Sequence, residues 1–279
     1  MNRLNILFQN KKDALLSIYF TAGYPNLDST LDIAEAVEKA GADFIEIGFP
    51  YSDPLADGPV IQNSSHIALQ NGMNLKVLFQ QLKDLRKRVS IPVLLMGYVN
   101  PVLQYGVANF CDSCAEVGID GVIVPDLPMY EYENLYKDNF IKNNLSNIFL
   151  VTPQTSEERI RRIDELSNGF IYLLSSSSTT GKNLTVSNEA DAYFSRIRDM
   201  KLKNPTMIGF GISDVKSFNK AAEYTRGAIV GSAFVKFLDT ENAMERAAEG
   251  QSFSLQLGIK QKSRGFPVFV VNPHLILSV

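Results

Sequence analysis

Phe44-Ile45-Glu46-Ile47-Gly48-Phe49-Pro50-Tyr51-Ser52-Asp53-Pro54-Leu55-Ala56-Asp57-Gly58-Pro59 changes character partway along. It opens as a short apolar, β-prone run and becomes a loop punctuated by prolines and a glycine. Strand alternation puts Phe44, Glu46 and Gly48 on one face and Ile45 and Ile47 on the other. A carboxylate among branched aliphatic neighbours in a buried strand is costly unless it is paired or used. The loop adds two more carboxylates, Asp53 and Asp57, beside Pro54 and Gly58. Those neighbours fix φ or permit tight bends, so the loop is shaped. A salt-bridged strand glutamate followed by an ordinary surface loop would leave the same local pattern, so the rest of the chain has to decide.

Outward from this stretch, one rhythm repeats. After a short amphipathic N-terminal helix, strand-like runs fall at 16–21, 44–48, 92–98, 121–124, 148–152, 170–174, 207–210 and 228–230. Helical patterns fill the gaps. The first starts near Ser29 with a Ser29-x-x-Asp32 near-capping box, places Ile33, Val37 and Ala40 on one stripe, and stops at Gly41. Gly118 ends a helix carrying Cys111 and Cys114, Ser156 starts another, and Ser213 a third. Eight strands alternating with helices predict an α/β fold: a single (β/α)8 TIM barrel with an additional N-terminal helix. A doubly wound open sheet is the alternative, although no GxGxxG follows the first strand.

The composition bounds the function. A chain of 279 residues with 45% hydrophobic content buries a large core, and barrels of this length form one domain. A net charge of −3 argues against a general nucleic-acid binder, which needs a basic face. The basic run Lys83 to Arg88 reads as a solvated helix face. The N-terminus lacks the apolar core of a signal peptide, and the apolar end, Phe266 to Val279, is too short to span a membrane. A soluble cytoplasmic protein is expected. Cys111 and Cys114 are the only cysteines and His66 and His274 the only histidines. Buried thiols and no metal site are therefore expected.

A barrel should gather its chemistry at the C-terminal ends of its strands. Glu46 and Asp57 fall there, as do Tyr98 and Asn100 after the third strand and Asp126 after the fourth. Tyr172 in the sixth strand is followed by Ser175 to Gly181, and strands seven and eight end in Gly209-Phe210-Gly211-Ile212-Ser213 and Gly231-Ser232-Ala233. Gly181, Gly211, Gly231 and Ser232 are candidate donors of a phosphate cradle, because glycines let backbone N–H groups approach an anion. None of the eight strand runs contains the lysine a Schiff-base aldolase needs, and the histidines are too few for a metal aldolase. Carboxylates remain. A partly desolvated Glu46 has its pKa raised towards neutrality, which suits it to move protons both ways. The residues favour metal-free acid/base lyase or isomerase chemistry on a small phosphorylated molecule.

The segment from Glu46 to Pro59, with Gln62 just after it, resembles the signature of the tryptophan synthase α subunit family. Tyr172-Leu173-Leu174-Ser175, Thr180-Gly181, Gly209 to Ser213 and Gly231-Ser232-Ala233 match that family in order, and the resemblance runs to about Lys236. It implies a barrel that cleaves indole-3-glycerol phosphate to indole and glyceraldehyde 3-phosphate by retro-aldol chemistry, without a cofactor of its own. It also implies an α2β2 complex with a β subunit that carries pyridoxal phosphate and receives the indole. By this resemblance Glu46 protonates indole C3 and then takes the side-chain hydroxyl proton. Asp57 holds the indole N–H, and Tyr172 helps position the glycerol hydroxyl. Tyr19, Tyr98 and Thr180 belong to the substrate pocket and its closing loops, and Pro50, Asp53 and Asn100 to the partner interface.

The chain departs from the family at Ser176 to Ser178, where many members carry an arginine and small residues, and at Tyr19, often a phenylalanine. Residues 1–249 are expected to form the barrel. Residues 250–279 lack a helical stripe, contain Pro267 and Pro273, and read as an atypical, irregular tail. Two other functions share these features: a binding subunit that activates a partner without catalysis, and another phosphate-binding barrel enzyme such as an isomerase. A pure activator would need neither Glu46 nor Asp57.

Overall fold

Eight parallel strands close into a barrel in chain order, β1 pairing with both β2 and β8. They are β1 Leu15–Thr21, β2 Phe44–Gly48, β3 Val93–Met96, β4 Gly121–Ile123, β5 Ser146–Val151, β6 Ile171–Leu174, β7 Thr206–Gly209 and β8 Gly227–Val230. The computed structural model describes residues 1–12, 14–174, 188–209, 211–239, 253–256 and 268–271. β3 is shorter than the run 92–98 suggested, because the chain leaves the sheet at Gly97 to enter the helix Val99–Tyr105. Gly97 also lies against the Phe49 ring, where a Cβ would come within 2.2 Å of Phe49 Cε2.

The period-2 alternation sorts side chains into two cores. Ile45 and Ile47 face outward and join Ile18, Phe20, Val93 and Leu95 beneath the helices. Phe44 faces inward, with Leu15, Leu94, Ile148, Phe170 and Met207. The N-terminal helix Arg3–Asn10 closes the lower end by inserting Leu4 and Phe8 into this inner core. Phe8 meets Phe44 at a ring-centroid distance of 6.3 Å and Phe170 at 5.7 Å, and Phe44 meets Phe170 at 5.6 Å.

One carboxylate fastens this lower end. Asp120, just before β4 and 1% exposed, accepts from Arg86 Nη2 at 2.6 Å, Val93 N at 3.0 Å, and Arg3 through its N–H and Nη1, each at 3.2 Å. Asn2 Nδ2 donates to the Asp120 carbonyl at 2.7 Å. Arg86 donates further to the carbonyls of Gly118, Val89 and Ile91. The run Lys83 to Arg88 is thus more than a solvated face, since Arg86 is half-buried and Arg88 pairs with Asp32 and Glu35.

Helix ends follow local chemistry with two shifts. Gly118 takes φ +84 and ends Val107–Val117, and Ser156 caps Glu157–Leu166 by accepting from Arg159 N. Ser29 precedes Thr30–Lys39 without capping it, because its hydroxyl donates to the carbonyls of Tyr24 and Asn26. Asp214, not Ser213, caps Val215–Tyr224, in a reciprocal box with Ser217. Cys111 and Cys114 are free and buried, which holds both thiols protonated. Among the described residues no three metal-ligating side chains cluster, and no helix is long and apolar enough to cross a membrane.

Within the expected tail, β9 Phe253–Gln256 and β10 Val268–Val271 pair antiparallel, Phe253 opposite Val271 and Gln256 opposite Val268. These segments are rich in aromatic and β-branched residues, a strand signature that a search for helical spacing passes over. The other residues of 250–279 lie outside those described.

Candidate active site

Glu46 sits near the upper end of β2, across from Tyr19 on β1 and Leu94 on β3. It is 0% exposed. Ser17 Oγ donates to Oε1 at 3.4 Å, and Oε2 has no hydrogen-bond partner among the described residues. Burial pushes the carboxyl from its ordinary 4.5 up to about 8, against a smaller opposing pull from Ser17. Ser17 stands two residues below Tyr19 on β1, so the carboxyl is turned towards the lower half of the barrel. The Tyr19 phenol lies over Gly48, where a Cβ would approach its Oη to 2.1 Å. Tyr172 lies in the same way over Gly209, with 1.8 Å to its Oη. Each tyrosine can occupy its place only because the neighbouring strand ends in glycine.

Asp57 belongs to the loop after β2. The loop folds through Leu55 N donating to the Asp53 carbonyl at 2.9 Å and Asp57 N to the Pro54 carbonyl at 3.0 Å. Pro59 then opens the helix Pro59–Gln70. Tyr98 laces this loop to the next one: its Oη donates to Asp57 Oδ2 at 2.9 Å and accepts from Ala56 N at 3.1 Å. The Tyr51 and Tyr98 rings lie 5.2 Å apart, and Asn100 Nδ2 donates to Tyr51 Oη at 3.3 Å. Asp126 Oδ1 accepts from Val99 N at 2.8 Å, fixing the backbone beside Tyr98. Burial pushes Asp57 up to about 6, with the Tyr98 hydrogen bond acting in the opposite direction.

Above this tier opens a cavity of about 550 Å³, within the range of small-molecule sites. Phe49, Met96, Pro125, Leu150 and Leu174 give it apolar walls, while Tyr19, Asp57, Tyr98, Thr152, Thr155 and Arg159 bring polar groups to it. Glu46 and Tyr172 lie outside its lining. Tyr172 is 4% exposed, and its phenol is held protonated by burial and by Glu46, Asp57 and Tyr19 nearby. Glu46, Asp57, Tyr19 and Tyr172 therefore share one neighbourhood, part of it open to the cavity.

The candidate phosphate donors divide. Gly211 has φ +76, a conformation that glycine adopts without strain. Gly231 precedes the helix Ser232–Phe237, and its carbonyl accepts from Phe234 N and Val235 N. A Cβ at Gly231 would stand 3.5 Å from Tyr19, so the loop after β8 borders the tyrosine. Thr180 and Gly181 lie outside the described residues. Of the partner-facing candidates, Pro50 is buried just beyond β2, and Asp53 and Asn100 are exposed.

Sequence reasoning passed over the loop after β5, which brings Thr152, Thr155 and Arg159 to the cavity. Its one signal was position, at the C-terminal end of a strand.

The family model for the tryptophan synthase alpha chain matches residues 5–263. The chain belongs to the tryptophan synthase alpha chain family. The match extends past Lys236, where the motif resemblance ended. The alpha chain of Flavobacterium psychrophilum is 58% identical over 88% of this chain and 96% of its own length. Among solved structures, the Legionella pneumophila alpha chain is similar at 32% identity and a TM-score of 0.77, covering 90% of this chain and 91% of that one. A chain of Mycobacterium tuberculosis tryptophan synthase in its aminoacrylate-bound form is similar at 31% identity and a TM-score of 0.75, covering 85% and 92%. Tryptophan synthase alpha chains cleave indole-3-glycerol phosphate in tryptophan biosynthesis, and this chain is accordingly a carbon–carbon lyase.

Proposed function

We propose that Glu46 is the proton-transfer residue of this lyase, with Asp57 holding the indole and Tyr172 the glycerol side chain. Indole is a poor leaving group until its C3 is protonated. A carboxyl held to about 8 by burial is protonated at neutral pH and has a proton to give. Once C3 is protonated, the positive charge lies towards the indole nitrogen, where an ionised Asp57 stabilises it. Tyr98 occupies Asp57 Oδ2, leaving Oδ1 for the indole N–H. Glu46 then accepts the side-chain hydroxyl proton as the carbon–carbon bond breaks, which returns it to its starting form. Because its carboxyl is turned towards Ser17, each cycle needs it to swing past Tyr19 into the cavity.

The observation that carries this reading is a fully buried carboxyl with one oxygen unpartnered among the described residues, one layer beneath a cavity bordered by Asp57. The chain works with a β subunit. We read pyridoxal phosphate as that subunit's cofactor and none as this chain's, because its carboxylates supply the protons the alpha reaction needs. Pro50, Asp53 and Asn100 are the proposed contacts with it. Two free cysteines favour a reducing, cytoplasmic setting. Indole release from indole-3-glycerol phosphate, with and without a β subunit, tests the whole reading; stimulation of the partner without indole release would leave only the activator.

The Asp57→Asn variant should lose about 10²-fold in turnover, the cost of one preorganised electrostatic contact, with its melting temperature nearly unchanged. Turnover within a few fold of the parent would remove Asp57 from the mechanism. The pH profile should be a bell. Activity falls below about 6 as Asp57 takes up a proton, and above about 8 as Glu46 loses the one it must donate.

For the cradle of Gly211, Gly231 and Ser232, the backbone of Gly211 has to approach the phosphate. Gly211→Val should weaken glycerol phosphate binding about tenfold or more, a loss of 1.4 kcal/mol per factor of ten. Normal binding to a folded variant would move the cradle elsewhere.

A further inference from the structure

The loop after β5 borders the cavity and has no role in the reaction proposed above. It presents Thr152 and Thr155, whose hydroxyl oxygens lie 3.1 Å apart, and Arg159 from the first turn of Glu157–Leu166. Among the described residues that line the cavity, Asp57 and Arg159 carry the charged side chains. Arg162, one turn further along, is engaged by Glu133 and Glu165. Arg159 is exposed, and no salt bridge to it forms among the described residues. Glu157 and Glu158 share its turn but do not line the cavity, so the charge this wall offers a ligand is positive.

The substrate makes that charge consequential. Indole-3-glycerol phosphate is an anion entering a cavity that has Asp57 in its wall and Glu46 beneath, in a chain of net charge −3. A cation facing an acidic site raises the local concentration of an anionic ligand, and salt weakens the effect. We propose that Arg159 is the affinity-setting residue of the cavity mouth for phosphorylated ligands, drawing in the phosphate end before the loops after β7 and β8 take it up. This rests on the lyase reading and on the cradle proposed above. Arg159 touches no reacting atom in this role, so it alters binding and leaves the chemical step alone.

The test uses the complex with the β subunit and the variants Arg159→Lys, Arg159→Gln and Arg159→Glu. At low ionic strength the KM for indole-3-glycerol phosphate should rise about fivefold in Arg159→Gln, the effect expected for one charge near an anion in water, and about 25-fold in Arg159→Glu, which changes the charge by two. kcat should stay within about twofold, Arg159→Lys should keep most of the parent affinity, and high salt should narrow every difference. In the reverse condensation, the KM for glyceraldehyde 3-phosphate should rise and the KM for indole should not. An unchanged KM in Arg159→Glu overturns the proposal. So does an equal rise in the KM for indole, which would mean a deformed cavity, or an effect that salt does not touch. Failure of the cradle has a different signature, normal glycerol phosphate binding by Gly211→Val.

Discussion

Replacing Glu46 by glutamine should abolish indole formation almost completely while leaving a folded chain that still stimulates its β partner. The amide fills the same space and still accepts from Ser17, but it cannot cycle a proton. A positioned general acid/base contributes roughly 10²–10⁴-fold, and a residue that acts twice in one turnover belongs at the upper end. The measurement is steady-state indole release beside partner stimulation and a melting curve. Near-normal turnover would sink the assignment, and so would an inactive variant whose melting curve shows it unfolded.

The same substitution should have an opposite signature in stability. Glu46 is raised in the folded chain from 4.5 to about 8, so the folded state holds its proton more tightly than the unfolded state. Its favourable contribution is full below about 4.5 and is lost as pH rises through about 8. The Glu46→Gln variant has no such group. Its melting temperature relative to the parent should therefore climb from pH 5 to pH 9, the range in which the parent is obliged to bury an ionising carboxyl. A residue that costs stability and carries turnover is what a functional site predicts.

The other large effect lies at the opposite end of the barrel. Asp120→Ala leaves Arg86 half-buried without its carboxylate and removes the acceptor from the N–H groups of Val93 and Arg3. Breaking a buried ion pair from one side costs about 3–5 kcal/mol. The carbonyls of Gly118, Val89 and Ile91 still solvate Arg86, which places this case near 3 kcal/mol. For a chain of this size that is a fall in melting temperature of roughly 6–12 °C. Adding Arg86→Met should recover part of the loss, because the stranded charge goes with it. A fall of a degree or less would show that Asp120 is dispensable to the lower end.

The barrel was legible because its signals are periodic and local. Phe44 against Ile45 and Ile47 told inside from outside from a single strand, and Gly118 and Ser156 marked helix ends by their own side chains. The burial of Glu46 and the place of Asp57 at the cavity were legible from strand alternation and from their position at the C-terminal end of β2. Asp120 was not. Its partners Arg3, Arg86 and Val93 come from three different elements, and nothing in Gly118-Ile119-Asp120-Gly121 shows that they converge. Arg86 was hidden for the same reason, in a run that looks like any solvated basic face. The seating of Tyr19 over Gly48 and Tyr172 over Gly209 could not be read either, since each joins neighbouring strands far apart in sequence. Arg159 carried no distinguishing pattern at all. Only closure of the barrel brings it to the cavity.

The N-terminal helix that stops the lower end has a consequence for how the chain is made. It is translated before the strands it seals, yet Phe8 stacks on Phe170, and the carbonyl of Phe8 accepts from Arg226, 218 residues later. At 5–20 residues per second, roughly 10–40 s separate the helix from that partner. Throughout synthesis Leu4 and Phe8 have no finished inner core to enter. A helix translated ahead of the whole barrel is thus among the last elements to reach its place, and the barrel is sealed from below only when its eighth strand is being delivered.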